Sequence, residues 1–461
     1  MATTAELWVN DVHGQINRTR VRRIEQPTDL EAVRRVIGEA ASRAEAVAIA
    51  GGRHAMGGQQ FVSDGVLLDT SRLDRLLAFD PDRGTVEFEA GIQWPALVAR
   101  LREAQGGSPG WGIWQKQTGG DRMSLGGAIS ANAHGRVLTR RPMIGDVESL
   151  VLVGPDGELR RCDRNENADL FGLVVGGYGL FGVIVSATLR LAPRVKLRRD
   201  VELLPVSGLA SGFERRVAAG HLYGDFQFDH RLERGVFSTY APVDDERPVP
   251  QDQRALTDAN WRDLIYLAHA DKVKAFEAYA SHYLATNGQL YWSDTMQLSP
   301  YFDGYHVDLD RRLGATAPAS ELLTELYVPR PRLIEFLREA RDDFERKGVD
   351  LIYGTIRIIE RDEETVIPWA REAYAGVIFN LHTVHTADGI AHSAAAFQRL
   401  IDMAIRYGGS FYLTYHRFAR PDQVLACYPR FPEFLRRKRA HDPHEVFQSD
   451  WYRHYRDAFQ R

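Results

Sequence analysis

A glycine-rich loop near the amino terminus contains a histidine that could take part in chemistry. Four glycines surround His54 in residues 51–60, directly after the apolar run 47–50. Glycine lets the backbone approach a ligand closely and turn its N–H groups toward phosphate oxygens. An imidazole in the same loop offers a nucleophilic nitrogen. The pattern is typical either of a phosphate-binding loop with a reactive histidine or of a tight turn with a surface histidine.

Two further glycine clusters follow. Residues 118–135 are nearly all small, which leaves backbone groups open to a flat ligand; a closely packed small-residue helix is the alternative. Residues 177–182 match the G-x-G-x-x-G spacing of dinucleotide-binding folds. The β-branched run that follows, 183–191, predicts a strand, whereas a Rossmann motif requires a helix there. We therefore expect neither a Rossmann site nor a P-loop, which would need Lys and Ser or Thr after the glycines.

His382 and His385 have the H-x-x-H spacing of a helical metal site. The apolar pair Val377 and Ile378 before them predicts a strand, and Asp388 is the one nearby carboxylate. We therefore expect no metal site.

The elements that position these residues follow two different patterns of predicted secondary structure. Residues 26–193 alternate short strands, turns and helices, with a capping box of Thr28 and Glu31 at the first helix. After Pro193, aromatic-rich strands alternate with amphipathic helices, which suits a domain that covers a substrate. The predicted fold class is α+β.

Composition excludes several function classes. The chain has 461 residues, of which 44% are apolar and 26% charged, values typical of a folded protein with two or three domains. A net charge of −4 does not favour nucleic acid as a partner. Two distant cysteines exclude a disulfide framework and fit a reducing compartment. The amino terminus does not resemble a signal peptide and the chain has no long apolar window, so we expect a cytoplasmic protein without a transmembrane segment. The sequence does not indicate an oligomeric state.

In order, the motifs resemble the flavin-binding domain of the vanillyl-alcohol oxidase family, the PCMH-type FAD-binding fold. The matching segments are 50–60, 119–135, 147–162, 169–171 and 176–193. The resemblance resumes at 408–409, 428–430 and 442–450, where the chain looks like decaprenylphosphoryl-ribose oxidase and alditol and aldonolactone oxidases. It implies an FAD-binding domain (1–193), a substrate or cap domain (194–425) and a C-terminal segment (426–461) that returns to the FAD-binding domain.

The resemblance implies FAD as the cofactor, with the loop around His54 at its pyrophosphate. A histidine at this position often bonds covalently to the flavin 8α-methyl carbon, although some relatives hold FAD without a bond. Met123 and Ser124 stand where a second linking cysteine occurs in the berberine-bridge subgroup, so we expect no second bond. The residues implied to contact FAD are Gly51, Gly52, Arg53, His54, Ala55, Met56, Gly57, Gln60, Gly119, Ser124, Leu125, Gly126, Gly127, Ala131, Asn132, His134, Gly135, Gly182, Val183, Ile184 and Tyr412.

The resemblance also implies catalytic groups in the second domain. Arg357 matches the arginine of a Glu-x-Arg element in alditol oxidase, where it would bind a substrate hydroxyl or steady the reduced flavin. Thr355 replaces the glutamate, which argues against simply transferring a polyol substrate. His382 matches a histidine that lines the substrate pocket. A surface charge is the alternative for Arg357, and a buried structural histidine for His382.

Tyr415 takes the position of a catalytic lysine in these relatives. A phenol acts as an acid or base near neutral pH only if its pKa is lowered, and His416 or Arg417 could help. Aromatic packing is the alternative for Tyr415 and for Tyr412.

Together, these expectations predict that the protein is an FAD-dependent oxidoreductase. It takes a hydride from a CH–OH group of a sugar, polyol, lactone or similar small molecule and passes electrons to O₂ or another acceptor. Aromatic residues of the second domain suggest a phenolic or aromatic-alcohol oxidase as the alternative: Tyr291, Trp292, Tyr301, Phe302 and Tyr305. The missing lysine and glutamate suggest a second alternative, a flavin-containing binding protein without catalysis.

Overall fold

The computed structural model describes residues 6–106, 110–244, 246–299, 302 and 304–460. The strands of the first part are β1 (Leu7–Val9), β2 (Thr19–Val21), β3 (Arg23–Glu25), β4 (Val47–Ala50), β5 (Val66–Asp69), β6 (Leu76–Asp80), β7 (Thr85–Glu89), β8 (Trp111–Gly112), β9 (Val147–Val153), β10 (Leu159–Asp163), β11 (Val183–Arg190) and β12 (Ala192–Pro193). Its helices are α1 (Leu30–Ser42), α2 (Trp94–Ala104), α3 (Leu125–Ser130) and α4 (Ala168–Val174).

Two sheets organise the first part. A parallel sheet has the order β3-β5-β4, and an antiparallel sheet has the order β10-β9-β11-β7-β6. The third glycine cluster leads into β11, which confirms the predicted strand and the absence of a Rossmann turn there. Gly182 has a φ of 144°, and a Cβ on it would meet the Val153 carbonyl of β9. This glycine therefore lets the strand begin against its neighbour.

Helix α1 covers the parallel sheet with one apolar face. Val33, Val36 and Ile37 pack in one cluster with Val47 of β4 and Leu68 of β5. The predicted capping box is wrong, because the helix begins one residue later than expected. Asp29 is the N-cap, and its carboxylate accepts a hydrogen bond of 2.8 Å from the backbone N–H of Ala32.

The second part is built on one large sheet. Its strands are β13 (Lys196–Pro205), β14 (Tyr223–Phe228), β15 (Arg234–Pro242), β16 (Leu290–Trp292), β17 (Ala319–Pro329), β18 (Leu351–Ile359), β19 (Tyr374–Val384) and β20 (Ser410–Phe411). Its helices are α5 (Leu209–Ala218), α6 (Asp258–Ala270), α7 (Lys272–Leu284), α8 (Tyr305–Leu313), α9 (Leu333–Lys347) and α10 (Ala387–Arg406). The strand order is β16-β13-β15-β14-β18-β19-β17-β20.

The two faces of this sheet differ in chemistry because side chains alternate along each strand. On the outer face, Phe237 and Phe379 contact Phe213 of α5 and Phe336 of α9. On the inner face, β18 presents Tyr353, Thr355 and Arg357 to a large cavity. The inner face is the polar wall of the candidate site.

The carboxyl-terminal helices are α11 (Pro421–Cys427), α12 (Phe431–His441) and α13 (Asp450–Gln460). Between α12 and α13 the chain returns to β4, where the Val47 N–H donates to the Val446 carbonyl at 2.7 Å and the Gln448 N–H donates to the Val47 carbonyl at 3.0 Å. The tail therefore contacts the first part directly, while the two boundaries between the three domains stay predictions. Among the described residues, no helix is long and apolar enough to cross a membrane.

Candidate active site

Two adjoining cavities lie beside the glycine loop. We call the first the glycine cavity; its walls are Ile49, Gly51, Gly52, Arg53, His54, Ala55, Gln59, Gln60, Thr70, Met123, Ser124, Gly126, Gly127, Ser130, Ala131, Tyr178, Gly179, Gly182, Ile184 and Thr414. The second, the sheet cavity, has a volume of about 610 Å³ and lies against the inner face of the large sheet. His54, Met123 and Thr414 line both cavities, so the two adjoin.

Close contact between two backbone segments shapes the glycine cavity. A Cβ on Gly51 would overlap the Ser124 side chain, and a Cβ on Gly52 would overlap the Arg122 carbonyl. Only glycine allows these segments to meet. Ser124 also caps α3, because its hydroxyl accepts a hydrogen bond of 3.2 Å from the Gly127 N–H.

The chemistry of the glycine cavity suits an anionic, flat ligand. Among the described residues its walls contain no carboxylate; Arg53 is their charged residue, and it pairs with Asp69 behind the wall at 3.5 Å. Gln60 donates from Nε2 to the Ala55 carbonyl at 2.6 Å, while its Oε1 is buried without a hydrogen-bond partner among the described residues. Backbone, small side chains, one cation and one unused acceptor fit the diphosphate and polar edges of a dinucleotide.

His54 has a histidine neighbour that the sequence did not indicate. Its Nδ1 lies 2.8 Å from Nε2 of His13, in the loop after β1. Burial lowers the pKa of His54 to about 3 and the pKa of His13 to about 4. Both rings are therefore neutral at pH 7, the form in which an imidazole nitrogen is nucleophilic.

The inner wall of the sheet cavity carries polar groups that lack partners. Arg357 is 4% exposed and Thr355 is 8% exposed. Two guanidinium nitrogens of Arg357, Nε and Nη1, and the Thr355 hydroxyl are buried without hydrogen-bond partners among the described residues. Because buried polar groups are nearly always satisfied, this wall is built to contact a polar ligand.

Tyr415 lies at the same wall. Its hydroxyl accepts a hydrogen bond of 3.1 Å from Gln117 Nε2, and both residues line the sheet cavity. Burial raises the pKa of Tyr415 well above its ordinary value. The lowered pKa that acid or base catalysis by this phenol would need is therefore not found, because burial disfavours the phenolate. At neutral pH this phenol is a hydrogen-bond donor and not a base.

His416 lies away from the cavities. Its ring stacks on Phe397 with centroids 4.7 Å apart, and its Nε2 lies 3.1 Å from the Thr324 hydroxyl. Burial lowers its pKa to about 3. We therefore correct its expected catalytic role. Tyr415 and His416 are adjacent in the chain, but their side chains lie in different surroundings.

His382 and His385 do not form a pair. His385 Nε2 lies 2.9 Å from the Ser320 hydroxyl, whereas His382 Nδ1 lies 3.4 Å from Glu321 Oε1. The same carboxylate oxygen lies 2.8 Å from Nε2 of His269 in α6, and Glu321 also accepts from the Tyr305 hydroxyl. Possible ligand atoms of the triad His269, Glu321 and His382 lie within 4.8 Å of one another. The triad ties α6 to the sheet at the edge of the cavity.

The His269–Glu321 contact makes stability depend on pH. Burial alone would lower the pKa of His269, but Glu321 outweighs burial and raises it. Burial alone would raise the pKa of Glu321, but His269 and His382 lower it. The stabilisation by Glu321 is lost as pH falls through its folded pKa, and that by His269 is lost as pH rises through its own.

We therefore expect the thermal unfolding midpoint of the wild type to decrease as the pH is raised from 5.5 to 8.5. This decrease should be about 1–3 °C larger than in a His269→Gln variant, because the wild type loses roughly 1 kcal/mol of stability from this contact. His444→Gln, at an exposed position, is the control. Equal pH dependence of wild type and His269→Gln would contradict the assignment.

The sequence of this chain is similar to those of several known proteins. An uncharacterized oxidoreductase of the fasciation locus of Rhodococcoides fascians is 30% identical over 208 residues, which cover 45% of this chain and 46% of that protein. Cytokinin dehydrogenase 2 of Arabidopsis thaliana is 27% identical over 331 residues, 68% of this chain and 64% of the relative. L-gulonolactone oxidase of Mus musculus is 27% identical over 173 residues, 37% of this chain and 38% of the relative. The alignments thus span less than two thirds of each relative's length.

Residues 21–163 match the FAD binding domain family, a range that contains the loop of His54 and the small-residue segment. This stretch is an FAD binding domain of the PCMH type, and the relatives that the chain is similar to belong to the vanillyl-alcohol oxidase, or PCMH-type, family of flavoproteins. Members of this family are FAD-dependent oxidoreductases. The predicted family, the α+β fold and the cofactor FAD are confirmed.

The structure of this flavoprotein places the predicted FAD contacts in three groups. Those that line the glycine cavity are Gly51, Gly52, Arg53, His54, Ala55, Gln60, Ser124, Gly126, Gly127, Ala131, Gly182 and Ile184. Gly119 and Tyr412 line the sheet cavity. The others lie outside both walls: Met56, Gly57, Leu125, Asn132, His134, Gly135 and Val183.

Residues of the outer group support the walls from behind. His134 lies 2.7 Å from Glu325 Oε1, and the Asn132 amide donates to Asp362 at 2.9 Å. Leu125 is fully buried in the core. The sequence missed two wall residues: Thr70, which stands in no motif, and Tyr178, which is a non-glycine position of the third glycine cluster. The predicted aromatic residue Tyr301 lies outside the described residues.

Proposed function

We propose that this flavoprotein oxidises a CH–OH group of a hydroxylated small molecule, such as a sugar, polyol or lactone, held in the sheet cavity. The observation that supports this proposal is a set of buried donors on β18: two guanidinium nitrogens of Arg357 and the Thr355 hydroxyl have no hydrogen-bond partner among the described residues. They line the same cavity as the hydroxyl of Tyr415. Several donors facing one cavity suit a substrate with several oxygen atoms. The volume of about 610 Å³ lies within the range typical of small-molecule sites.

FAD supplies a two-electron acceptor for the hydride when it is bound. The chain's own groups then act on the substrate oxygen. The protonated phenol of Tyr415 donates a hydrogen bond to it, and the hydroxyl proton passes to solvent. The guanidinium of Arg357 stabilises the negative charge that develops on the oxygen as this proton leaves. Gln117 fixes the phenol by donating to its oxygen at 3.1 Å.

We also infer that His54 attaches FAD covalently. The ring is neutral and buried, and it lies at the junction of the two cavities. The neighbouring His13 restricts its orientation through the 2.8 Å contact. The remaining residues of the glycine cavity would hold the diphosphate and the flavin edges.

Anaerobic bleaching of the flavin absorbance tests the substrate class. We expect polyols, aldoses or aldonolactones to bleach the flavin, and phenols and aliphatic amines to leave it oxidised. Amines belong in the panel because a cytokinin dehydrogenase is among the relatives. Aromatic alcohols belong there because Trp261, Phe276 and Tyr283 line the same cavity.

The pattern of bleaching decides among the alternatives. Bleaching by amines or phenols alone would contradict the proposal. A flavin that is photoreducible but is bleached by no donor would instead support a binding protein without catalysis. Peroxide formation after air is admitted distinguishes O₂ from another electron acceptor.

A further inference from the structure

We propose that Arg136 and Arg199 form an anion-binding subsite in the sheet cavity and that the substrate carries a carboxylate or phosphate group. The inference deepens the proposed function by naming the substrate class. Strand β13, which carries Arg199, lies three strands from β18, which carries Arg357. At about 4.8 Å per strand, the subsite is separated from the reacting end by roughly 14 Å across the sheet.

The charges that line the sheet cavity do not balance. Its cationic wall residues are Arg136, Arg199, Arg254, Lys272 and Arg357, and its acidic wall residues are Asp225, Asp229 and Glu321. Some of these charges are matched or solvated: Arg254 is exposed, Lys272 pairs with Asp350, Asp229 with Arg234, and Glu321 with His269. The guanidiniums of Arg136, Arg199 and Arg357 remain against one carboxylate, that of Asp225.

The remaining carboxylate does not satisfy the two arginines nearest to it along the sheet. Arg136 Nη1 lies 3.8 Å from Asp225 Oδ1, beyond hydrogen-bond length, and this oxygen has no hydrogen-bond partner among the described residues. Arg199 is 7% exposed and donates from Nη2 to the Ser238 hydroxyl at 3.1 Å. The Nε atoms of Arg136 and Arg199 are both buried without partners in the described part of the chain.

Burying an unmatched guanidinium costs several kcal/mol, so an anion that binds between two of them recovers a large interaction. A planar guanidinium presents paired N–H groups that match the two oxygens of a carboxylate or two oxygens of a phosphate. Asp225 leaves the pair with a net positive charge. The ligand group that this chemistry selects is therefore an anion.

Tyrosine rings hold the two guanidiniums in place. The Arg199 guanidinium carbon lies 4.5 Å from the ring centroid of Tyr283 and 5.4 Å from that of Tyr240. The Arg136 guanidinium carbon lies 6.0 Å from the Tyr240 centroid. Cation–π contacts of this kind fix the donor groups before a ligand arrives. The same rings give the subsite apolar walls, which favour an acid attached to a ring.

Binding of benzoate and benzamide to the FAD-loaded protein, measured by calorimetry, tests the subsite. Neither probe has a CH–OH group, so binding does not depend on turnover. We expect benzoate to bind at least about 10-fold more tightly than its neutral isostere benzamide. Phenyl phosphate in place of benzoate shows whether the subsite prefers phosphate or carboxylate. Equal affinity for benzoate, phenyl phosphate and benzamide would overturn the proposal.

Variants locate the anion. Arg199→Gln and Arg136→Gln should each weaken benzoate binding by about 10-fold or more and leave benzamide binding unchanged. Arg198→Gln is the matched control, since Arg198 is the next residue of β13 but points outward to Asp200. Loss of benzoate binding only in Arg357→Gln would place the anion elsewhere and overturn the proposal.

The two proposals can fail separately. Arginine-dependent benzoate binding without bleaching by any alcohol would leave the subsite standing and contradict the proposed function. Bleaching by neutral alcohols without preference for benzoate over benzamide would do the reverse. If one of the two arginine variants fails to fold, the other still shows whether benzoate binds at this subsite.

Discussion

Replacement of His54 by alanine should release the flavin. Acid precipitation of the wild type is expected to give a yellow pellet, because a covalent bond survives denaturation. The His54→Ala variant is expected to give a white pellet, with any flavin in the supernatant. The physical reason is that His54 supplies a neutral imidazole where the two cavities meet, with a pKa of about 3 and a fixed neighbour in His13.

His392→Ala is a suitable control, since this histidine is exposed on α10. Its pellet should stay yellow. A white pellet from the wild type would contradict covalent attachment, and a yellow pellet from His54→Ala would show that another residue makes the bond. Flavin content measured before precipitation separates loss of the bond from loss of FAD binding.

The second large effect is expected at Arg357. Arg357→Gln should lower kcat/KM by about 10- to 100-fold, the range for losing hydrogen bonds to a charged group. Because Arg357 stabilises developing charge on the substrate oxygen in the proposed mechanism, kcat should fall together with kcat/KM. Arg357→Lys keeps the charge but not the planar fork, so its loss should be smaller.

The same substitution should not destabilise the fold. Arg357 is 4% exposed and two of its guanidinium nitrogens have no partner among the described residues, so replacing it removes an uncompensated buried charge. We expect an unchanged or higher unfolding midpoint together with the lost activity. Arg361→Gln, beyond the end of β18 and paired with Glu363 in solvent, is the matched control. Unchanged kinetics in Arg357→Gln would remove this residue from the mechanism.

Several elements were predictable because their pattern is local. The β-branched run after the third glycine cluster predicted β11 in place of a Rossmann helix. The alternation of apolar and polar residues along β18 also set which side chains would face a cavity. Helix starts were less predictable, since Thr28 and Asp29 are both good N-cap residues and the choice depends on how α1 meets the sheet.

The chemistry of Tyr415 and His416 could not be predicted from their positions in the chain. A pKa depends on burial and on charges brought near by other segments. Burial of the phenol raises the pKa of Tyr415, and stacking against Phe397 takes His416 out of the site. The H-x-x-H pair was separated for a similar reason, because His382 turns to Glu321 of a neighbouring strand.

The sequence by itself determined the cofactor of this protein. Glycines 51 and 52 and the small-residue segment predict close backbone contact with a large ligand, and the resemblance of the ordered motifs to the PCMH-type fold implies that this ligand is FAD. Only the tertiary structure brought His13 to His54 and left Arg136 and Arg199 unmatched beside Asp225. These residues come from separate strands and loops, and the balance of their charges exists only once the sheet has placed them in one cavity. The ligand class of the sheet cavity is therefore a property of the fold.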